Sequence, residues 1–88
     1  MNERRSKIRI LVDILKLVQR KNGRAKSTHI LYGANLSHAR LKKYLNVLLM
    51  NGFIEKTTVF YKITTKGQKF IGEFKKVEEL SEAFGVPI

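Results

Sequence analysis

The run FIEKTTVFYKIT, residues 53–64, constrains this chain more than any other stretch, because it is the one place where the helical period of the apolar residues lapses. Phe, Ile, Val, Tyr and Thr are residues that strands favour, and they recur there without a helix-period face. Three short amphipathic patterns precede the run and one follows it. Any fold must therefore pack helices around one small β-ribbon placed late in the sequence.

Ile8, Leu11, Ile14, Leu15 and Val18 keep i, i+3, i+4 spacing, with Arg9, Asp13, Lys16 and Arg20 between them, which predicts an amphipathic helix over about 4 to 21. Asn22 and Gly23 stop it, since both tolerate the left-handed conformation. Arg24 to Lys26 reads as a connector. Ser27 or Thr28 caps a brief second helix through Tyr32, Gly33 terminates it, and Ala34 to Leu36 is a tight turn. Ser37 is the natural N-cap of a third helix reaching about Asn51, with Leu41, Tyr44, Leu45, Leu48 and Leu49 on its core face. Gly52 ends that helix. Within the ribbon the turn falls at Thr57 to Val59, without the Asn-Gly or Asp-Gly of a two-residue hairpin. Thr65 and Gln68 match a capping box, and Phe70, Ile71, Phe74, Val77, Leu80 and Phe84 carry a last helix towards Gly85 and Pro87.

The expected fold class is mainly α with a small β-hairpin, in the order helix, helix, helix, two strands, helix. That is the outline of a winged helix-turn-helix domain with a C-terminal helix. A plain three-helix bundle would house the helices but leave the strand-forming run without a place.

Charge is segregated along this outline. Fifteen of the 18 Lys and Arg lie in residues 1–66 with three of the seven acidic residues; residues 67–88 hold three basic and four acidic. Such asymmetry suits one segment that meets a polyanion and another with a different task; the alternative is a generally basic, solvated surface. With Leu41, Leu45 and Leu48 turned inward at 100° per residue, Ala39, Lys43, Asn46 and Met50 point away, flanked by Arg40, Lys42 and Val47. Basic side chains near a helix start oppose the macrodipole at about 0.3–1 kcal/mol each, a penalty that a bound phosphate or base edge removes. The segment from Ser37 through His38, Ala39, Arg40, Lys42, Lys43 and Asn46 is therefore the candidate DNA-contacting surface. Arg40 pairs with guanine or holds a phosphate, Lys42 and Lys43 meet phosphate, and protonated His38 donates to one. Asn46 either reads adenine or is a plain surface amide. Lys56 and Lys62 on the ribbon either contact phosphate or guard a β-edge, with the Thr57 and Thr58 hydroxyls nearby. Arg4, Arg5, Lys7, Arg24 and Lys26 extend the positive surface.

Other chemistry finds little footing. The absence of cysteine excludes disulfides and thiolate metal sites. His29 and His38 have no carboxylate at ligand spacing, and His29 reads as a partly buried helix residue. Scattered carboxylates, with no phosphate-binding glycine loop and no nucleophile elbow, argue against an enzyme and imply no cofactor. No stretch approaches the roughly 20 apolar residues of a membrane span and the N-terminus lacks a signal-peptide pattern, so the expectation is a cytoplasmic, nucleoid-associated protein without a membrane partner. A winged helix serving as a protein-interaction adaptor is the competing function. RNA binding is disfavoured by placing Tyr32, Tyr44, Phe53 and Tyr61 in the core, where no base can stack on them.

The stretch ILYGANLSHARLKKYLNVLLMNGFIEK, followed by YKITTKG and a terminal helix, resembles the archaeal ten-kilodalton winged-helix DNA-binding proteins typified by the Sulfolobus "10a" chromatin proteins, and the related archaeal winged-helix regulators. The similarity spans nearly the whole chain. Its most specific piece is the turn Tyr32 to Ser37; Thr65-Lys66-Gly67 is common to many winged-helix proteins. The resemblance implies binding to double-stranded DNA, either sequence-tolerant or at an operator, with a recognition helix at 38–51 and a wing at 53–63. It further implies a winged-helix domain over 1–65 and a dimerisation helix over 66–88, paired as an antiparallel coiled coil in a homodimer. Phe74, Val77, Leu80 and Phe84 form the candidate pairing face, although Phe70, Ile71 and Phe74 also suit the domain's own core. A helix from Lys66 to about Phe84 spans only about 28 Å, short for a long rod.

Overall fold

In the computed structural model, which describes residues 5–88, Ser6 opens the first helix. Its Oγ accepts the Arg9 N–H at 3.3 Å, and α1 runs Lys7–Arg20. The helix starts later than apolar spacing predicts, because a cap rather than periodicity sets where a helix begins. After it come β1 (Arg24–Ala25), α2 (Ser27–Gly33), α3 (His38–Met50), β2 (Ile54–Lys56), β3 (Tyr61–Ile63) and α4 (Thr65–Phe84). This is the winged-helix arrangement, with four helices and a small antiparallel sheet.

α1 is the hub. It touches α2, α3, α4, β1 and β3, so Ile10 and Val12 are buried along with Ile14, Leu15 and Val18, while Ile8, assigned to the apolar stripe by its spacing, is exposed. A helix surrounded on several sides does not need the one-sided stripe of a surface helix.

The glycines and asparagines divide their labour differently from the sequence expectation. Asn22 and Gly23 do adopt left-handed φ values of 63° and 84° and end α1. At the end of α2 the left-handed residue is Asn35 (φ 55°), with the Leu36 N–H donating to the Leu31 carbonyl. Gly33 is the last residue of α2 itself and serves packing: a Cβ there would lie 2.6 Å from Leu17 Cδ2. α2 is preceded by Lys26 without a side-chain cap, so neither Ser27 nor Thr28 fills that role. Ser37 caps α3 as expected, its Oγ accepting the Arg40 N–H at 3.3 Å. The helix closes in a Schellman arrangement, with Gly52 at φ 74° and the Phe53 N–H donating to the Leu48 carbonyl at 3.0 Å.

The sheet has the order β1-β3-β2, so Arg24 and Ala25 form a third strand where a connector is expected. Arg24 pairs with Lys62 and Ala25 with Tyr61 on one side of β3; on the other, Ile54 pairs with Ile63, Glu55 with Lys62 and Lys56 with Tyr61. Thr57 locks the hairpin, its N–H donating to the Phe60 carbonyl at 2.7 Å and its hydroxyl accepting the Phe60 N–H at 2.9 Å.

Thr64, not Thr65, caps α4: its hydroxyl accepts the Gly67 N–H at 3.0 Å and donates to the Gly52 carbonyl at 2.6 Å, which displaces the expected Thr65–Gln68 capping box. The Phe53 and Phe70 rings stack at 4.5 Å over this junction. Phe74 is only 3% exposed, with the Arg9 guanidinium 5.7 Å from its ring, and Glu78 receives Arg9 at 3.0 Å and Lys16 at 3.8 Å. These contacts bind the middle of α4 to α1. Beyond them Gly85 (φ 68°) reverses the chain, the Val86 N–H donating to the Ser81 carbonyl at 3.1 Å. No helix among the described residues is long and apolar enough to cross a membrane.

Candidate nucleic-acid interface

Leu41, Tyr44, Leu45 and Leu48 are buried, so the opposite side of α3 is presented to solvent: His38, Ala39, Lys42, Lys43, Asn46 and Met50 are all exposed. Arg40 is half-buried, its guanidinium 5.9 Å from the Tyr44 ring, which steers it along the helix flank. The first turn contains no acidic residue. The Ser37 hydroxyl is engaged in the cap, so it contributes by orienting the helix start rather than as a free donor.

Three carboxylates are committed elsewhere. Asp13 holds Arg5 at 2.8 Å, Glu78 holds Arg9 and Lys16, and Glu73 holds Lys76 at 2.9 Å, whose ammonium is kept above the ordinary lysine pKa by that hydrogen bond and the adjacent charge. Among the described residues none forms an ion pair with Arg40, Lys42, Lys43, Lys56 or Lys62. Arg5 does not extend the cationic surface in the expected way, because its guanidinium also donates to the Ala34 carbonyl at 2.8 Å and so fastens the turn before α3 to α1. Arg4 lies outside the described residues.

One edge of α3 faces the wing. His38, Lys42 and Asn46, spaced four apart, line a groove of about 390 Å³ with Lys56 of β2 opposite and Ser27 and Thr28 at its end. Leu31, Leu41 and Leu45 form its floor. Ser27 and Thr28 are the site residues that spacing misses: as cap candidates they look structural, whereas the packing of α2 against α3 brings the first turn of α2 to the groove. Lys56 is steadied there by the Tyr61 ring, 5.8 Å from its Nζ.

Lys62 is not part of this groove. Paired with Arg24 and Glu55, it occupies the alternate face of the ribbon from Lys56 and Tyr61, since successive strand residues point to opposite sides. On that outer face the Arg24 guanidinium stacks 5.0 Å from the Phe60 ring. The Thr57 hydroxyl, expected beside the ribbon lysines, is spent on Phe60; Thr58 remains exposed.

Two aromatic and imidazole assignments also change. Tyr32 is 81% exposed, beside Lys21, Thr28 and His29 on the outer side of α2, and is no part of the core; His29 is exposed with it. Ile30 and Leu31 are the buried pair of α2, with Gly33 set close against Leu17 and Tyr32 turned to the opposite side. Among the described residues no group of three or more His, Cys, Asp or Glu is placed to hold a metal ion. On α4, Phe74 is turned into its own domain, while Val77, Leu80 and Phe84 are exposed, with Val86, Pro87 and Ile88 folded alongside.

Comparison with known proteins places this architecture. Residues 4–82 match a family described as winged helix-turn-helix. Among curated sequences, the uncharacterized protein MJ0290 of Methanocaldococcus jannaschii is 42% identical over 77 residues, 88% of this chain but 34% of the relative, so the chain spans about a third of that protein's length. The uncharacterized protein MJ0287 of the same organism is 31% identical over 77 residues, 88% of this chain and 77% of the relative. Among solved structures, Sso10a-2, a DNA-binding protein from Sulfolobus solfataricus, superposes with a TM-score of 0.81 at 25% identity, over 90% of this chain and 84% of that one.

Proposed function

Because the chain belongs to the winged helix-turn-helix family, we propose that it binds double-stranded DNA with α3 in the major groove, as a transcription regulator or a chromatin-associated protein. The observation that carries this reading is the exposed side of α3: its cations have no intramolecular carboxylate, at a helix start whose dipole they oppose. Phosphate supplies the missing counter-charge. Lys42, Lys43 and Lys56 hold the backbone, Arg40 and Asn46 lie closest to base edges, and Ala39 leaves room for a close approach. The structural likeness to Sso10a-2, described as DNA-binding, supports the same role.

The proposed active unit is a homodimer joined through the helix from residue 66 onward. Leu80 lies midway along the exposed stripe between Val77 and Phe84. In an antiparallel two-fold pair Leu80 meets its own copy and Val77 meets the other chain's Phe84, the self-complementarity that such a symmetric interface requires.

Fluorescence anisotropy with duplex DNA at several salt concentrations tests the function. With about six phosphates neutralised, log K falls linearly with log salt at a slope near −0.9 per contact. Absence of binding at low salt refutes the reading. Random duplexes compared with the protein's own promoter region separate a regulator from an architectural binder.

A further inference from the structure

The wing carries positive charge on both faces and an apolar residue at its apex. Lys56 points to the side shared with Tyr61 and α3, whereas Lys62 and Arg24 point to the other side, where Glu55 offsets part of their charge. A ribbon that lay flat along one phosphate strand would use cations on one face only. Cations on both faces suit a ribbon entering edge-on between two phosphate strands, which is the geometry of a groove.

The apex is built rigidly. Thr57 ties itself to Phe60 through its N–H at 2.7 Å and through its hydroxyl in both directions, and Phe60 is held beneath the Arg24 guanidinium. Two residues are left to project, Thr58 and Val59. Val59 is 55% exposed, an apolar side chain held out to solvent at the turn. A β-branched side chain has little rotamer freedom to lose on insertion.

Resting on the DNA-binding reading above, we propose that the wing tip is a wedge. Lys56 on one flank and Lys62 with Arg24 on the other engage the two phosphate strands bordering the minor groove, and Val59 presses between base pairs at its floor, partly unstacking one step and bending the duplex. Apolar side chains placed in this way unstack base steps and kink DNA towards the major groove. The contact is apolar and carries no hydrogen-bond code, so it favours flexible pyrimidine–purine steps over any particular sequence.

The test uses the full chain and a duplex of about three helical turns labelled at both ends for energy transfer, with anisotropy on the same duplex to establish saturation. The wild-type protein at saturation raises transfer efficiency. Val59→Ser, an exposed substitution whose folding is checked by circular dichroism melting, saturates the duplex with affinity reduced less than about tenfold and loses most of the rise; Val59→Leu retains it. Lys56→Ala and Lys62→Ala each lower the salt slope by about one. A saturated duplex that stays straight with wild type, or one equally bent by Val59→Ser, overturns the wedge while leaving DNA binding intact. No binding by wild type at low salt overturns the DNA reading itself, and the wedge with it.

Discussion

The Phe53 carbonyl occupies the space that a side chain on Gly67 would need: a Cβ built there falls well inside contact distance of the oxygen, and 2.9 Å from Ile63 Cγ1. The end of α3, the wing and the start of α4 meet at this point, since the Thr64 N–H donates to the same Phe53 carbonyl at 3.0 Å. Gly67→Ala must push backbone aside and is expected to destabilise the fold by about 3 kcal/mol, the upper part of the range for overpacking. At Gly33 the obstacle is the tip of the Leu17 side chain, which can rotate, and alanine recovers up to about 1 kcal/mol of helix propensity. Gly33→Ala should therefore be the milder of the two in urea melts; equal losses would show that the junction yields more easily than its geometry indicates.

Lys42 and Lys43 are exposed on α3. Each alanine substitution should weaken DNA binding about equally on all sequences and reduce the salt slope by roughly one, as loss of a phosphate contact does. Asn46→Ala should instead lose about 1–3 kcal/mol on a preferred sequence only, if it reads a base edge. Anisotropy titrations across salt and across sequences distinguish the two patterns.

Glu55 is the one acidic residue on the wing, directly across from Lys62. Glu55→Gln should strengthen DNA binding about threefold at low salt, because a repulsive charge about one side chain from phosphate is removed, and the gain should shrink above ~0.5 M salt as screening shortens to a few ångströms. Stability should move by less than about 0.5 kcal/mol, as for other exposed substitutions. Unchanged affinity at low salt would place the outer face of the ribbon away from DNA.

Leu80 and Phe74 are expected to respond in opposite ways. Leu80→Glu alters an exposed position and should convert a sedimenting dimer to a monomer that still unfolds cooperatively, with a midpoint lowered only by the partner's lost contribution and no longer dependent on concentration. Phe74→Ala removes a buried ring and should destabilise the folded domain by about 3–5 kcal/mol. Identical monomeric mass for the wild type and Leu80→Glu would refute pairing through α4.

What the sequence made legible follows from which features are local. The Ser37 cap, the Leu41–Leu48 face and the Gly52 stop depend on residues within one or two turns of each other, and all three stand in the structure. β1 is two residues long and has no period to detect; it exists because the backbone of β3 is within reach of Gly23, whose carbonyl accepts the Ile63 N–H at 2.8 Å. The spacing of Thr65 and Gln68 pointed to a cap one residue late: Thr64 takes the role, where Gly67 packs against the Phe53 carbonyl. Gly33 looked like a stop because glycine often is one, but its role is set by Leu17 on another helix. At the candidate site, the outward face of α3 was readable from 100° steps, whereas the split between Lys56 and Lys62 required the register of a hairpin whose turn length the sequence left open.

β1 also bears on how the wing meets a ligand. With Arg24 and Ala25 hydrogen-bonded along one edge of β3 and β2 along the other, β3 is braced from both sides and the ribbon is tied to the strand that follows α1. Its conformational freedom is surrendered when the chain folds, so little remains to be lost at docking. The protein should consequently engage its target as a preformed tool, with association governed by encounter and charge instead of by a slow ordering step.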